Sequence, residues 1–224
     1  MNAKRILDFI GQLTCNNNRE WFNAHKDEYL AVKSDLEQFT SEWIAVASDI
    51  DPQLASLTTK DCMYRIYRDI RFSANKLPYK DWIGIILAPH GGRKSRHGCY
   101  YLHFQPGACM FAGGVWCPDS ELIKSIRQDI YDNADELEAI FANEEVKPYF
   151  TSFDSDGALK KVPAPFPKDF PHPNWIARNS FTFSIPISDK EMCSPRFFDY
   201  LLSLCRAAKP LNDFLNYTVD NYKH

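Results

Sequence analysis

No two of the seven cysteines in this chain (Cys15, Cys62, Cys99, Cys109, Cys117, Cys193 and Cys205) stand in a CxxC pair. An odd, scattered set does not make a disulfide framework or a zinc ribbon, so reduced, mostly buried thiols of a cytoplasmic protein are expected. Long apolar runs are also missing. No stretch approaches the roughly 18 residues of a membrane span, and "MNAKRILDFIGQL" has no uninterrupted apolar core for a secretory signal. A soluble protein with no membrane partner is expected. Excess positive charge is absent too: 26 Lys and Arg against 29 Asp and Glu leave a formal charge of −3. That balance argues against nucleic acid as a partner, since polyanion binders are usually basic overall.

Catalytic signatures are equally scarce. The histidines lack HExxH spacing and "DSDG" at 154–157 lacks the rest of a calcium loop, so no metal is expected. There is no GxSxG and no phosphate loop, and no cofactor motif. No linker, repeat or low-complexity segment divides the 224 residues, which read as one domain.

What is present is apolar material for a core, 45% of residues, with 14% aromatic. Ile6, Phe9, Ile10 and Leu13 have helical spacing. From Phe22 a stripe of threes and fours runs through His25, Tyr29, Val32, Leu36, Phe39, Trp43 and Val46 to Ile50. It predicts one helix of about 29 residues, or about 43 Å, with His25 at the edge of the core, and Asp51-Pro52 ends it. Strands are predicted over 63–72, over "WIGIILA" (82–88), and over the hairpin "CYYLHFQPG" with "ACMFAGGVW". Helices resume at Pro118. Residues 146–175, with six prolines, read as an ordered loop. "SFTFSIPI" is a strand whose Pro186 places it at an edge or end, and a last helix after Pro195 is expected to break at Pro210. This order predicts an α+β fold, an antiparallel sheet with helices mainly on one face.

The chemistry concentrates in "YRIYRDIRFSANKLPYKDW" (64–82). On a strand, Arg65, Asp69 and Arg71 share one face, and neighbours two apart lie about 6.5–7 Å from each other. Guanidinium forks on such a face suit a phosphate or carboxylate. Arg68 falls on the apolar face, where a lone charge costs several kcal/mol, so it is either a paired structural group or the wall of an anion pocket. Lys76, Tyr79 and Lys80 in the following turn complete the candidate ligand-binding set. His103 is the candidate general acid or base because histidine titrates near neutrality. Asp69 is the second proton-transfer candidate.

Along "NNNREWF", "RIYRDIRFSANKLPYK", "YYLHFQPG", "GGVWCP" and "KPLNDFL" the chain resembles an uncharacterised conserved family, domain of unknown function 2461, over roughly residues 5–216. The resemblance implies a single domain and carries no activity, substrate or cofactor. Asn75 stands where that family usually has an acidic residue, and Cys99 where a glycine commonly precedes the paired tyrosines.

Three readings follow. In the first, Arg65, Arg68, Arg71, Lys76, Tyr79 and Lys80 bind a small anionic metabolite, such as a phosphorylated one, with or without chemistry at His103 or Asp69. In the second, the same cations are internal salt-bridge partners of a structural or interaction protein. In the third, the cations and aromatics bind single-stranded nucleic acid. The first leads. Neither a reaction nor an oligomeric state follows from these residues.

Overall fold

Residues 2–71 and 74–221 are described by a computed structural model. Helix α1 (Ala3–Cys15) buries Ile6, Phe9, Ile10 and Leu13. Asn18 caps α2 (Arg19–Ala24) by accepting the Trp21 N–H at 2.9 Å. The long stripe then continues on α3 (Lys26–Ile50), which buries Val32, Leu36, Phe39 and Trp43. The predicted single helix is divided at His25, with φ −108° and ψ 23°. There the Trp21 carbonyl accepts the His25 backbone N–H and lies 2.8 Å from His25 Nδ1, while the two rings stack at 4.0 Å. His25 therefore sits at the core edge with one ring nitrogen engaged.

A 3-10 turn (Pro52–Leu54) and the short helix α4 (Thr59–Cys62) lead to the sheet. Its strands are β1 (Ile83–Leu87), β2 (Cys99–Phe104), β3 (Cys109–Val115) and β4 (Phe181–Ile187), an antiparallel meander in sequence order with β4 at an edge. The register pairs Ile85 with Leu102, Leu102 with Phe111 and Phe111 with Ile185. This face is buried through Ile83, Ile85, Leu102, Phe104 and Phe111. On the other face Ile86, Tyr101, His103, Met110, Ala112 and Ser184 stay partly exposed and Pro186 is exposed. The period-2 alternation thus carries a one-sided sheet, and the fold is α+β.

Helix α5 (Ser120–Asp132) begins two residues after Pro118, because Asp119 caps it by accepting the Glu121 and Leu122 N–H groups. Helix α6 is Ala134–Ala142. The proline-rich stretch is irregular apart from α7 (Pro173–Ile176) and buries Phe150, Phe153 and Phe170. After α8 (Asp189–Met192) comes α9 (Phe197–Asn221), which runs through Pro210 without a break. A proline removes one backbone donor, but tertiary contacts hold α9 on both sides of it. Before it, Leu201, Leu204 and Cys205 are buried. After it, Asn212 accepts the Gly114 N–H (2.9 Å) and donates to the Cys99 carbonyl (3.0 Å), and Asn216 accepts the Gly98 N–H (2.6 Å). Helix α9 packs on β2 and β3 and against α3, α5 and α6.

All seven cysteines are free, and Cys62, Cys99, Cys109 and Cys205 are buried. Burial pushes the thiols of Cys62, Cys99 and Cys205 up to about 12, which leaves them protonated and inert. No helix among the described residues is long and apolar enough to cross a membrane.

Candidate functional site

The basic segment is not the strand its alternation predicts. Met63 and Tyr67 make single bridges, to Ile85 and Tyr79, and two backbone bonds close a narrow finger: Arg68 N–H to Pro78 O (3.0 Å) and Lys80 N–H to Ile66 O (2.8 Å). The ladder stops there because Pro78 has no N–H to return to Arg68. The alternation survives in burial, with Ile66 buried, Arg68 and Ile70 partly so, and Arg65, Tyr67, Asp69 and Arg71 exposed. Phe72 lies outside the described residues.

The base of the finger is gripped by Asn17, whose side chain donates to the Tyr79 carbonyl and accepts the Tyr79 N–H, each at 3.1 Å. The Tyr79 ring is 4% exposed and stacks on Phe22 at 4.1 Å. Tyr79 is thus a core residue and offers no platform to a ligand. Asn75 accepts the Leu77 N–H at 2.9 Å, a turn that an aspartate makes equally well.

The cations divide into two groups. Asp69 accepts from Arg71 Nε (3.0 Å) and Nη2 (2.7 Å), which holds its carboxyl at about 2. So low a value makes Asp69 a weak base, and the pair fixes the tip of the finger. Lys76 donates to the Ile70 carbonyl at 2.9 Å. In contrast, Arg65, Arg68 and Lys80 have no ion pair among the described residues. Lys80 Nζ lies 4.3 Å from the Trp82 ring centroid and 5.2 Å from that of Tyr64. Burial, then Arg65, Arg93 and Arg68, lower the pKa of Lys80. The Arg68 side chain is half-buried and has no salt-bridge partner among the described residues.

Arg93 arrives from the glycine-rich loop. A Cβ on Gly92 would stand 2.5 Å from the Asp61 carbonyl oxygen, and φ is +57°, so glycine lets this loop lie against the end of α4. Arg93 then donates through Nε to the Asp61 carbonyl at 3.1 Å and through Nη2 to that of Lys60. These are carbonyls at a helix C-terminus, which favour a cation.

Between α3, α4 and the finger lies a cavity of 460 Å³. Lys33, Lys60, Arg65 and Arg93 line it, and its single lining carboxylate, Glu37, is paired with Lys33 at 3.0 Å. Tyr29, Tyr64 and Tyr67 supply hydroxyls. Burial raises Tyr29 to about 12 and raises Tyr64 as well, so at neutral pH both remain hydrogen-bond donors. A second, more open hollow holds Arg19 and Lys76 beside Asn17 and Asn75.

Of the expected residues, the cavity lining includes Arg65 alone, while Lys80 feels the charges of Arg65, Arg93 and Arg68 without lining it. Lys33 and Lys60 escaped the sequence reading, and Arg93, in the basic loop "HGGRKSRHG", stood outside the candidate ligand-binding set. Gly91-Gly92 ahead of Arg93 was the one local signal, whereas Lys33 with Glu37 has the spacing of an ordinary surface pair.

His103 lies elsewhere on the open face of the sheet. Its Nδ1 is 2.8 Å from the Tyr101 hydroxyl and its Nε2 is 3.0 Å from Gln105 Oε1, and its ring lies 5.2 Å from Trp82. Neither Arg65 nor Asp69 is among its partners. Burial lowers the His103 pKa below the ordinary value. Below about pH 6.5 the unfolded chain then takes up a proton that the folded chain refuses. Stability is present above that pH and is lost as pH falls through the folded-state midpoint. We expect an NMR titration of His103 to show a midpoint below 6.5, and His103→Gln to flatten the acid limb of the stability profile. A midpoint above 6.5 contradicts this placement.

The loop histidines hold one surprise. Ligand atoms of His90, His97 and Asp220 lie within 4.8 Å of one another, the one such grouping of potential metal ligands among the described residues. Asp154, from "DSDG", accepts the Ser184 hydroxyl of β4 at 2.8 Å, and the residues after it make a turn in which the Ala158 N–H donates to the Ser155 carbonyl at 3.1 Å. His224 lies outside the described residues.

No curated protein and no solved structure matches the chain. A family model described as conserved hypothetical protein (DUF2461) matches residues 5–214, which take in the finger, the cavity and most of α9. The chain belongs to this conserved hypothetical family.

Proposed function

We propose that the protein binds a small anionic metabolite, of which a phosphate ester is the leading class, in the cavity between α3, α4 and the finger. The observation that carries this reading is the charge of the lining: four cations against one carboxylate that is already paired. The volume, 460 Å³, falls in the range of about 300–1,000 Å³ common for small-molecule sites. Arg93 is pre-oriented by backbone carbonyls and Arg65 has no ion pair among the described residues, so a ligand engages these two without breaking an ion pair of theirs. His103 lies outside the lining, so the reading is one of binding and assigns no proton transfer. The Asp69–Arg71 pair favours an internal structural role for the finger's tip, and this role is compatible with a ligand at its base.

The test is a thermal-shift and calorimetry panel of inorganic phosphate, sugar phosphates, nucleotides, dicarboxylates and short oligonucleotides. Phosphate esters are expected to raise the Tm of the wild type, since a ligand bound only to the folded state adds RT ln(1 + [L]/Kd). Arg65→Ala and Arg93→Ala are each expected to weaken binding about tenfold or more, the size of a charge-assisted contact. Lys76→Ala, outside the cavity, is expected to leave it unchanged. If no compound shifts the wild type, or Arg65→Ala binds as tightly as wild type, the reading fails. Binding of oligonucleotides alone would move the assignment to nucleic acid.

A further inference from the structure

We propose that His90, His97 and Asp220 form a binding site for a divalent transition-metal ion of the zinc type, independent of the anion cavity. The three residues are brought together from distant parts of the chain. His90 follows β1, His97 lies two residues before the start of β2, and Asp220 is on the last turn of α9. His97 Nε2 and Asp220 Oδ1 are 2.8 Å apart, and the two imidazole rings are 4.8 Å apart and inclined at 59°. Two imidazoles and a carboxylate are ligands that zinc accepts, and three of them leave a fourth position for water.

Three further observations separate this grouping from a chance meeting of polar side chains. First, His90 has a left-handed backbone, φ +59°, followed by Gly91 at +117° and Gly92 at +57°. A non-glycine residue there is held in a costly conformation by its surroundings. Second, His97 Nδ1 lies 3.2 Å from the Ser95 hydroxyl. An ion on Nε2 leaves the imidazole proton on Nδ1, where it donates to that hydroxyl, the outer contact that orients metal-bound histidines. Third, Asp220 continues a stripe on α9. Asn212, Asn216 and Asp220 are spaced four apart, and the two asparagines fasten the helix to Cys99, Gly114 and Gly98 through buried bonds. The backbone next to His97 is therefore fixed relative to the carboxylate before any ion arrives.

Tetrahedral zinc needs ligand atoms about 3.4 Å from one another, given bonds of about 2.0–2.2 Å. The 2.8 Å contact has only to open slightly, and the wider separations, up to 4.8 Å, close by side-chain rotation of exposed His90.

The test uses untagged full-length protein, stripped with a chelator and titrated with Zn²⁺ by calorimetry and with Co²⁺ by visible absorption. The expected result is one equivalent bound, with the intense visible bands of tetrahedral cobalt and a rise in Tm. Ser95→Ala should weaken binding about tenfold, the usual size of an outer contact. His90→Ala, His97→Ala and Asp220→Ala should each weaken it more, and His90 and Asp220 are exposed enough for their variants to fold. Binding that persists at full strength in His90→Ala and Asp220→Ala would place the ion on other groups, the exposed Cys15, Cys117 and Cys193 among them, and overturn the assignment. Absence of saturable Zn²⁺ and Co²⁺ binding to the wild type would overturn it as well.

Discussion

Gly114→Ala is expected to destabilise the protein by about 4 kcal/mol. Gly114 has φ +91°, where a side chain costs roughly 1–2 kcal/mol. The larger part comes from space: a Cβ would stand 2.0 Å from the Phe181 carbonyl oxygen, and that oxygen belongs to the β4 backbone. A side-chain end can swing aside, but here β3 and β4 must part. Separating them also weakens neighbouring ladder bonds, each worth about 0.5–1.5 kcal/mol. Gly107→Ala is the comparison, since its φ is +73° but nothing lies within 4 Å of the added Cβ. It is expected to lose only about 1 kcal/mol. Urea unfolding followed by circular dichroism measures both. Equal losses would show that the close approach of β3 and β4 contributes nothing.

Asn212→Ala is expected to lose about 3 kcal/mol. This side chain is fully buried, accepting the Gly114 N–H and donating to the Cys99 carbonyl. Truncation strands one donor and one acceptor in the core, at about 1–3 kcal/mol each. Asn212→Asp keeps the acceptor and sets a carboxylate oxygen against the Cys99 carbonyl, so it should recover none of the loss. Because Asn212 and Gly114 share a bond, their losses should not add in the double variant. An Asn212→Asp protein as stable as the wild type would mean that the bond to Cys99 is idle.

The regular elements were legible wherever burial followed a simple period. Tyr100, Leu102 and Phe104 on β2, and Phe181 and Phe183 on β4, declare a one-sided sheet, and Ile6, Phe9, Ile10 and Leu13 declare α1. Legibility failed where a distant partner overrode the local rule. Pro210 breaks an isolated helix, yet Asn212 and Asn216 hold α9 to the sheet just beyond it. In the finger the period-2 pattern was real, but it reports burial, and Pro78 withholds the donor that a ladder needs. The cavity was legible only in part. Arg65 stood in a conspicuous run, while Lys33, Lys60 and Arg93 join it through the docking of α3, α4 and a loop. His97 and Asp220, 123 residues apart, could not be connected by spacing at all.

The placement of α9 also sets an order of events at the ribosome. A chain emerges from its N-terminus, so all four strands are made by Ile187, before α9 begins at Phe197. Helix α9 is the element that covers β2 and β3. Until it emerges, the faces of β2 and β3 lack part of their cover, and the core stays incomplete until the last helix docks.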